Sequence, residues 1–159
     1  MDIFKRFRAA PDGGPAGTMH RLELALSEAD AVRVIAAIAA VFPLPRRDTF
    51  QEGSAQGAGT AVHFSLRPEF SGAVAVIVTN STALLDDINA LALEPPPPWI
   101  AFPKLDPSTA GSLQGSIEYW WNWLFQPFWS VADHDARALH LARNPADQDW
   151  QDFVAAHVP

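Results

Sequence analysis

Val62-His-Phe-Ser-Leu-Arg-Pro-Glu-Phe-Ser-Gly-Ala-Val-Ala-Val-Ile-Val-Thr79 holds two strand patterns joined by a turn. In the first, Val62, Phe64 and Leu66 alternate with His63, Ser65 and Arg67, the period of two expected where one strand face is buried and the other polar. Pro68 to Gly72 supplies turn chemistry. The stretch Ala73 to Thr79 is then almost wholly apolar. A Val- and Ile-rich run without polar alternation is buried on both faces, which predicts a central place in a sheet.

Upstream, Leu22, Leu24 and Leu26 alternate with Arg21, Glu23 and Ala25, predicting the first strand of the domain. Ser27 followed by Asp30 forms a capping box, and the alanine-rich run to Phe42 predicts a helix that Pro43 and Pro45 stop. Beyond Arg33 that run has no polar residue, so the helix is expected to be covered on most sides. Residues 44–59 are expected to form a long loop. Its glycines do not make a phosphate cradle, because Gly59 is followed by Thr60 and Ala61 where Lys-Ser or Lys-Thr is needed.

Downstream, Asn80, Ser81 or Thr82 is placed to cap a helix in which Leu84, Leu85, Ile88, Leu91 and Ala92 share a face that excludes Asp86 and Asp87. Pro95 to Pro98 end it, and Trp99-Ile-Ala-Phe102 reads as a short edge strand. The resulting order predicts an α+β fold: a ferredoxin-like βαββαβ antiparallel sheet with two packed helices, plus a C-terminal helical extension. Residues 1–17 form an N-terminal segment and flexible linker in this reading, and 18–159 a single domain in which 106–159 are the aromatic-rich extension. Start signals at Asp106-Pro107, at Ser130 with Asp133, and at Asn144-Pro145 with Asp147 predict three helices there. The first carries Leu113, Ile117, Trp120, Trp121, Leu124 and Phe125 at three- and four-residue spacing, with a stop or kink at Pro127. The last places Trp150, Phe153, Val154 and His157 on one stripe.

A chain of 159 residues that is 48% hydrophobic and 18% charged has the length and apolar content for one core. Without cysteine it has no disulfide, thiolate metal site or thiol nucleophile. The net charge of −7 repels phosphate backbones, so nucleic acid is not the expected partner; a protein, cationic in the simplest case, is. The longest apolar run, Val34 to Phe42, is about half of the ~20 residues that a membrane-spanning helix requires, so no stable membrane insertion is expected. Lys5, Arg6 and Arg8 interrupt the apolar residues of the N-terminus, which argues against a secretory signal and for a cytoplasmic protein.

The segment Tyr119-Trp-Trp-Asn-Trp-Leu-Phe-Gln-Pro-Phe-Trp129 holds four of the six tryptophans, more than one helical stripe can bury. Trp120, Trp121, Leu124 and Phe125 fit a core face, whereas Tyr119 and Trp123 fall four residues apart on another side. Tyr119, Trp123 and Trp129 are therefore the candidate partner-binding residues, since such rings dominate interface hot spots. The leading expectation is a non-catalytic protein-binding module, an acidic inhibitor or immunity-type protein that neutralises its partner; a homodimer through the same patch is a variant of it. The alternative is a small enzyme or ligand sensor with a pocket between the sheet and the Trp-rich helices. Arg21, His63 and Arg67 would line that pocket, with His63 as base and Arg67 as anion clamp. No catalytic residue is assigned outright. No cofactor is expected, because zinc-protease, serine-elbow and dinucleotide motifs are all missing. No metal site is expected either: adjacent side chains of Asp133-His134-Asp135 diverge by about 100° on a helix, and Asp133 is explained as a cap and as an i,i+4 partner of Arg137.

Overall fold

The computed structural model describes residues 5–7, 17–44, 52–109 and 113–157. In chain order they form Lys5–Phe7 (β1), Met19–Leu26 (β2), Glu28–Val41 (α1), Glu52–Gly57 (β3), Thr60–Glu69 (β4), Gly72–Thr79 (β5), Thr82–Ala90 (α2) and Pro98–Ala101 (α3). A single 3₁₀ turn at Pro107–Thr109 follows, then Ser116–Tyr119 (α4), a π-helical stretch at Trp120–Phe125, Gln126–Trp129 (α5), His134–Arg143 (α6) and Gln148–His157 (α7).

The strands form an antiparallel sheet in the order β1-β2-β5-β4-β3, with the apolar β5 in the centre as its composition requires. Both hairpins turn through two left-handed residues, Ala58 and Gly59 (φ 50° and 78°) and Phe70 and Ser71 (φ 55° each). Such turns match the twist of the strands and make the flanking residues, Gly57 with Thr60 and Glu69 with Gly72, close hydrogen-bonded pairs. The alternation that follows places the backbone groups of Thr60, Val62, Phe64, Leu66 and Pro68 on the β3 side of β4. Among the described residues β3 pairs no further than Glu52 with Ser65, so no described strand stands opposite the N–H that Pro68 lacks. The same alternation turns Leu22, Leu24 and Leu26 toward β5, and the backbone groups of Arg21, Glu23 and Ala25 toward the opposite edge of β2.

The course β2-α1-β4-β5-α2 is consistent with a ferredoxin-like topology, with α1 and α2 on one face of the sheet over Leu22, Leu26, Val62, Phe64, Leu66 and Ile77. Three expectations are corrected. Trp99–Phe102 is not a fourth strand: Pro98 occupies the first position of a one-turn helix, where its fixed φ suits a helix and its missing N–H is no loss. The position beside β2 that this strand would fill is taken, in part, by β1. Residues 44–59 are not all loop, because Glu52–Gly57 adds β3 at the far edge. Finally, α1 buries one side only, through Val34 and Ile38, and exposes Val32 (71%), Ala36, Ala39 and Ala40; alanine is a strong helix former whether or not it is covered.

Caps follow the sequence closely. Ser27 Oγ accepts the Asp30 N–H at 3.1 Å and donates to Asp30 Oδ2 at 2.8 Å. Ser81 caps α2, Asp133 caps α6 by accepting the Ala136 N–H at 2.8 Å, and Asp147 accepts the Trp150 N–H at 3.0 Å. Arg137 does not pair with Asp133: its Nε donates to the Trp129 carbonyl at 3.0 Å, and its guanidinium lies 5.4 Å from the Trp129 ring centroid. The Asp106 signal starts the 3₁₀ turn alone, and the first long C-terminal helix begins at Ser116.

Pro127 neither stops nor ends that helix. The backbone passes from α to π geometry over Trp120–Phe125, and Gln126 N–H bonds back five residues to the Trp121 carbonyl. Widening just ahead of the proline relieves the clash its ring would make with the carbonyl four residues earlier. The π turn also packs the aromatic residues against the sheet's second face, at Ala25 and Val74. Trp120 stacks on Phe125 at 4.8 Å, Phe125 on Trp129 at 5.4 Å, and Phe153 of α7 meets Trp121 edge-on at 5.5 Å.

Candidate functional site

The β2 edge, the end of α2 and the π-helical stretch enclose a cleft of about 250 Å³. Its floor is Leu22 to Ala25; one wall is Ile88, Ala92 and Leu93, and the other Trp123, Leu124, Pro127 and Phe128. The first wall exists because the chain leaves α2 through Leu91 and Ala92, the latter at φ 49°, which turns it into the proline run. Arg33 Nη2 holds this corner by donating to the Leu91 carbonyl at 2.8 Å. Glu94, also in the lining, stands 3.0 Å from Nδ1 of the buried His140 and accepts from Arg143 Nη1 at 3.1 Å. That pair of contacts ties α6 to the proline run and fixes the wall.

At the opposite wall Trp123 is 56% exposed, while its neighbours Trp120, Trp121, Leu124 and Phe125 are buried. Trp129 belongs with the buried set: it is 6% exposed, stacked on Phe125 and covered by Arg137. Tyr119 is half-buried, and its hydroxyl donates to the Glu23 carboxylate, which also accepts from Arg21. Of the three candidate binding residues, the structure thus places Trp123 at the cleft, Tyr119 against the sheet and Trp129 in the core.

The Tyr119–Glu23 bond leaves a mark on both groups. Burial pushes the Glu23 carboxyl up, but hydrogen bonds from Tyr119 and Arg21 and the charges of Arg21 and Arg67 outweigh it, holding the group below its ordinary value of 4.5. Burial, then the bond to Glu23 and its charge, push the Tyr119 phenol up to about 12. Tyr119 is the only tyrosine in the chain, so phenolate absorbance reads it directly. The expected titration midpoint is near 12 in the folded protein, against about 10 in denaturant. A raised phenol pKa stabilises the fold below about pH 10, and that contribution is lost as pH rises toward 12; solvent screening of the half-exposed ring limits it to about 1 kcal/mol. The depressed Glu23 pKa acts in the other direction, stabilising above the unfolded carboxylate range and losing its effect as acid titrates the folded group. A folded-state midpoint near 10 would disprove the Tyr119–Glu23 contact.

The polar face of the sheet does present Arg21, His63 and Arg67 on one side, in the cross-strand rows Arg21-Val78-His63-Ser54 and Ala25-Val74-Arg67. They do not converge. His63 and Arg67 are four residues apart on β4, about 13 Å, and Arg21 is two strands from His63, about 10 Å. His63 Nδ1 lies 2.7 Å from Ser54 Oγ in an open trough with Ser65, Val76 and Val78, while Arg67 is 3.7 Å from Glu69. A pocket does lie between the sheet edge and the aromatic helix, but none of Arg21, His63 and Arg67 lines it. Among the described residues, no three His, Cys, Asp or Glu side chains are grouped to hold a metal ion, and no helix is long and apolar enough to cross a membrane.

Sequence reasoning missed the cleft and its residues Ile88, Ala92, Leu93 and Glu94. The one available signal was the abrupt proline stop after an apolar helix end, which leaves Ala92 and Leu93 nothing sequential to pack on. Compared with protein-family models, curated proteins and solved structures, the chain matches none.

Proposed function

We propose that this chain is a non-catalytic protein-binding module that seats apolar side chains of a partner protein in the Trp123 cleft. The exposure of Trp123 on an otherwise apolar wall carries this reading: a large, rigid ring at a concave site supplies binding area at small entropy cost. A cleft of about 250 Å³ lies below the range of about 300–1,000 Å³ typical of small-molecule and cofactor pockets, and suits one or two inserted side chains. The net charge of −7 favours a cationic partner and fits an acidic inhibitor or immunity-type neutraliser acting in the cytoplasm.

The test uses the full chain as bait, comparing wild type with Trp123→Ala. The variant is expected to lose about 1–2 kcal/mol of stability, the share of the ring that packs on the cleft wall, and to stay folded, yet to lose bound protein by tenfold or more, the range of an interface hot spot at about 2 kcal/mol. Equal capture by both forms would refute the cleft as the binding surface.

A further inference from the structure

A second cavity, of about 540 Å³, lies between α3, the end of α5, α6 and α7, and shares no lining residue with the Trp123 cleft. Its volume falls inside the range of about 300–1,000 Å³ typical of small-molecule sites, where the cleft falls below it. The walls are apolar: Trp99 and Trp129, Leu141 of α6, and Val154 and Ala155 of α7. Four polar side chains complete the lining, and three of them are engaged with one another or with the start of α7. Gln148 Nε2 donates to Asp152 Oδ1 at 2.8 Å, and Gln151 Nε2 donates to the Ala146 carbonyl at 2.9 Å. The fourth is Arg137, whose Nε donates to the Trp129 carbonyl while its guanidinium lies over the Trp129 ring. These contacts fix the plane of the guanidinium and leave its charge unneutralised. Among the described side chains, Arg21, Arg33, Arg67 and Arg143 each stand against a carboxylate; Arg137 has none, in a chain with 18 acidic residues. Its Nη1 and Nη2 make no hydrogen bond to a described residue. A half-buried, pre-oriented guanidinium beside apolar walls is built to hold a planar anion through two parallel N–H···O bonds.

We propose that this cavity binds a small organic acid, a single carboxylate on a flat apolar body. The carboxylate takes the Nη1 and Nη2 edge of Arg137, and the body lies along Trp99, Leu141 and Val154. A phosphate or a dicarboxylate fits less well, because the Asp152 carboxylate shares the lining and the chain already carries a net charge of −7. This ligand-binding role goes beyond the protein-binding reading and does not depend on it.

The probe is naphthylacetate, titrated into the full chain while backbone amide shifts are followed by NMR. Signals of Arg137, Leu141, Gln151 and Ala155 are expected to move, and those of Ile88 and Leu93 in the cleft to stay still. The neutral isostere naphthylacetamide should bind about tenfold more weakly, because it forfeits the charge-assisted pair. Arg137→Gln should lose about the same factor for the acid and keep the wild-type affinity for the amide, whereas a variant that had merely repacked would lose both. Trp123→Ala should bind the acid as wild type does, so that this proposal and the cleft reading fail separately. Equal wild-type affinity for acid and amide would overturn the role of Arg137. Inorganic phosphate binding as tightly as the acid would overturn the choice of ligand, and unmoved signals at millimolar acid would overturn the site. Binding that emerges only when residues 158–159 are deleted would assign the cavity to the chain's own end and overturn the proposal equally.

Discussion

Trp120→Ala is expected to lower the unfolding free energy by about 3–5 kcal/mol, the largest effect of any single aromatic truncation in this chain. Trp120 is 0% exposed, stacks on Phe125 at 4.8 Å, meets Phe102 edge-on at 5.7 Å and packs beside Trp121 at 6.3 Å. Removing it opens a cavity where the π turn, the segment after α3 and the sheet meet, and each of these is held by the others. Domains of this size are stable by about 5–15 kcal/mol, so the loss would be visible in both urea and thermal unfolding. The contrast with Trp123→Ala, three residues along the same helix, is the informative part. Two tryptophans of one segment should differ by a few kcal/mol in stability and in the opposite sense in binding. A small effect of Trp120→Ala would mean that the aromatic extension is not packed on the sheet, and the second wall of the cleft would go with it.

Gly72→Ala is expected to cost about 2–3 kcal/mol, an unusual amount for one methyl group. A Cβ at this position would stand 2.1 Å from the Leu26 carbonyl oxygen and 3.5 Å from the Ser27 Cα, so it presses on backbone that cannot swing aside. Leu26 is the last residue of β2 and Ser27 caps α1, so the strain falls on the junction from which that helix starts. Thermal unfolding checks the size of the effect. Exchange rates at the Leu26 and Asp30 amides check its location, because both should speed up more than those of α2. A variant as stable as wild type would show that β2 and β5 are farther apart at this end than the structure has them.

Gly72 also shows where the sequence places the right element without its packing reason. Pro68 to Gly72 predicts a turn, and the structure divides the work within it: Phe70 and Ser71 take the left-handed conformations, and Gly72 is required for close approach to β2. Pro98 is a similar case. Four prolines and then Trp-Ile-Ala-Phe suggest an extended edge, but the last proline of such a run is also a good first residue for a helix, and only packing chose between the two. Pro127 predicts a stop or a kink from local chemistry; the π turn that carries the helix past it buries four side chains, Trp120, Trp121, Leu124 and Phe125, in the cluster that also holds Ala25 and Val74 of the sheet.

Short-range physics is what the sequence by itself determined about this protein. The alternation in Val62–Arg67 and Leu22–Leu26, the almost wholly apolar β5, the Ser27 and Asp133 caps, a cap for α2 among Asn80, Ser81 and Thr82, and the buried stripe of Trp120, Trp121, Leu124 and Phe125 each depend on neighbours within four residues, and each was legible. The tertiary structure alone decided which rings stay wet and which polar groups meet. Tyr119 finds Glu23 96 residues away, Glu94 finds His140 46 residues away, and the cleft joins the end of α2 to a helix more than thirty residues further on. No periodicity encodes such meetings, because they arise where separate surfaces close on one another. Trp123 and Trp129 have the same chemistry in sequence; one became a candidate binding surface and the other core only when α6 and α7 took their places over the second face of the sheet.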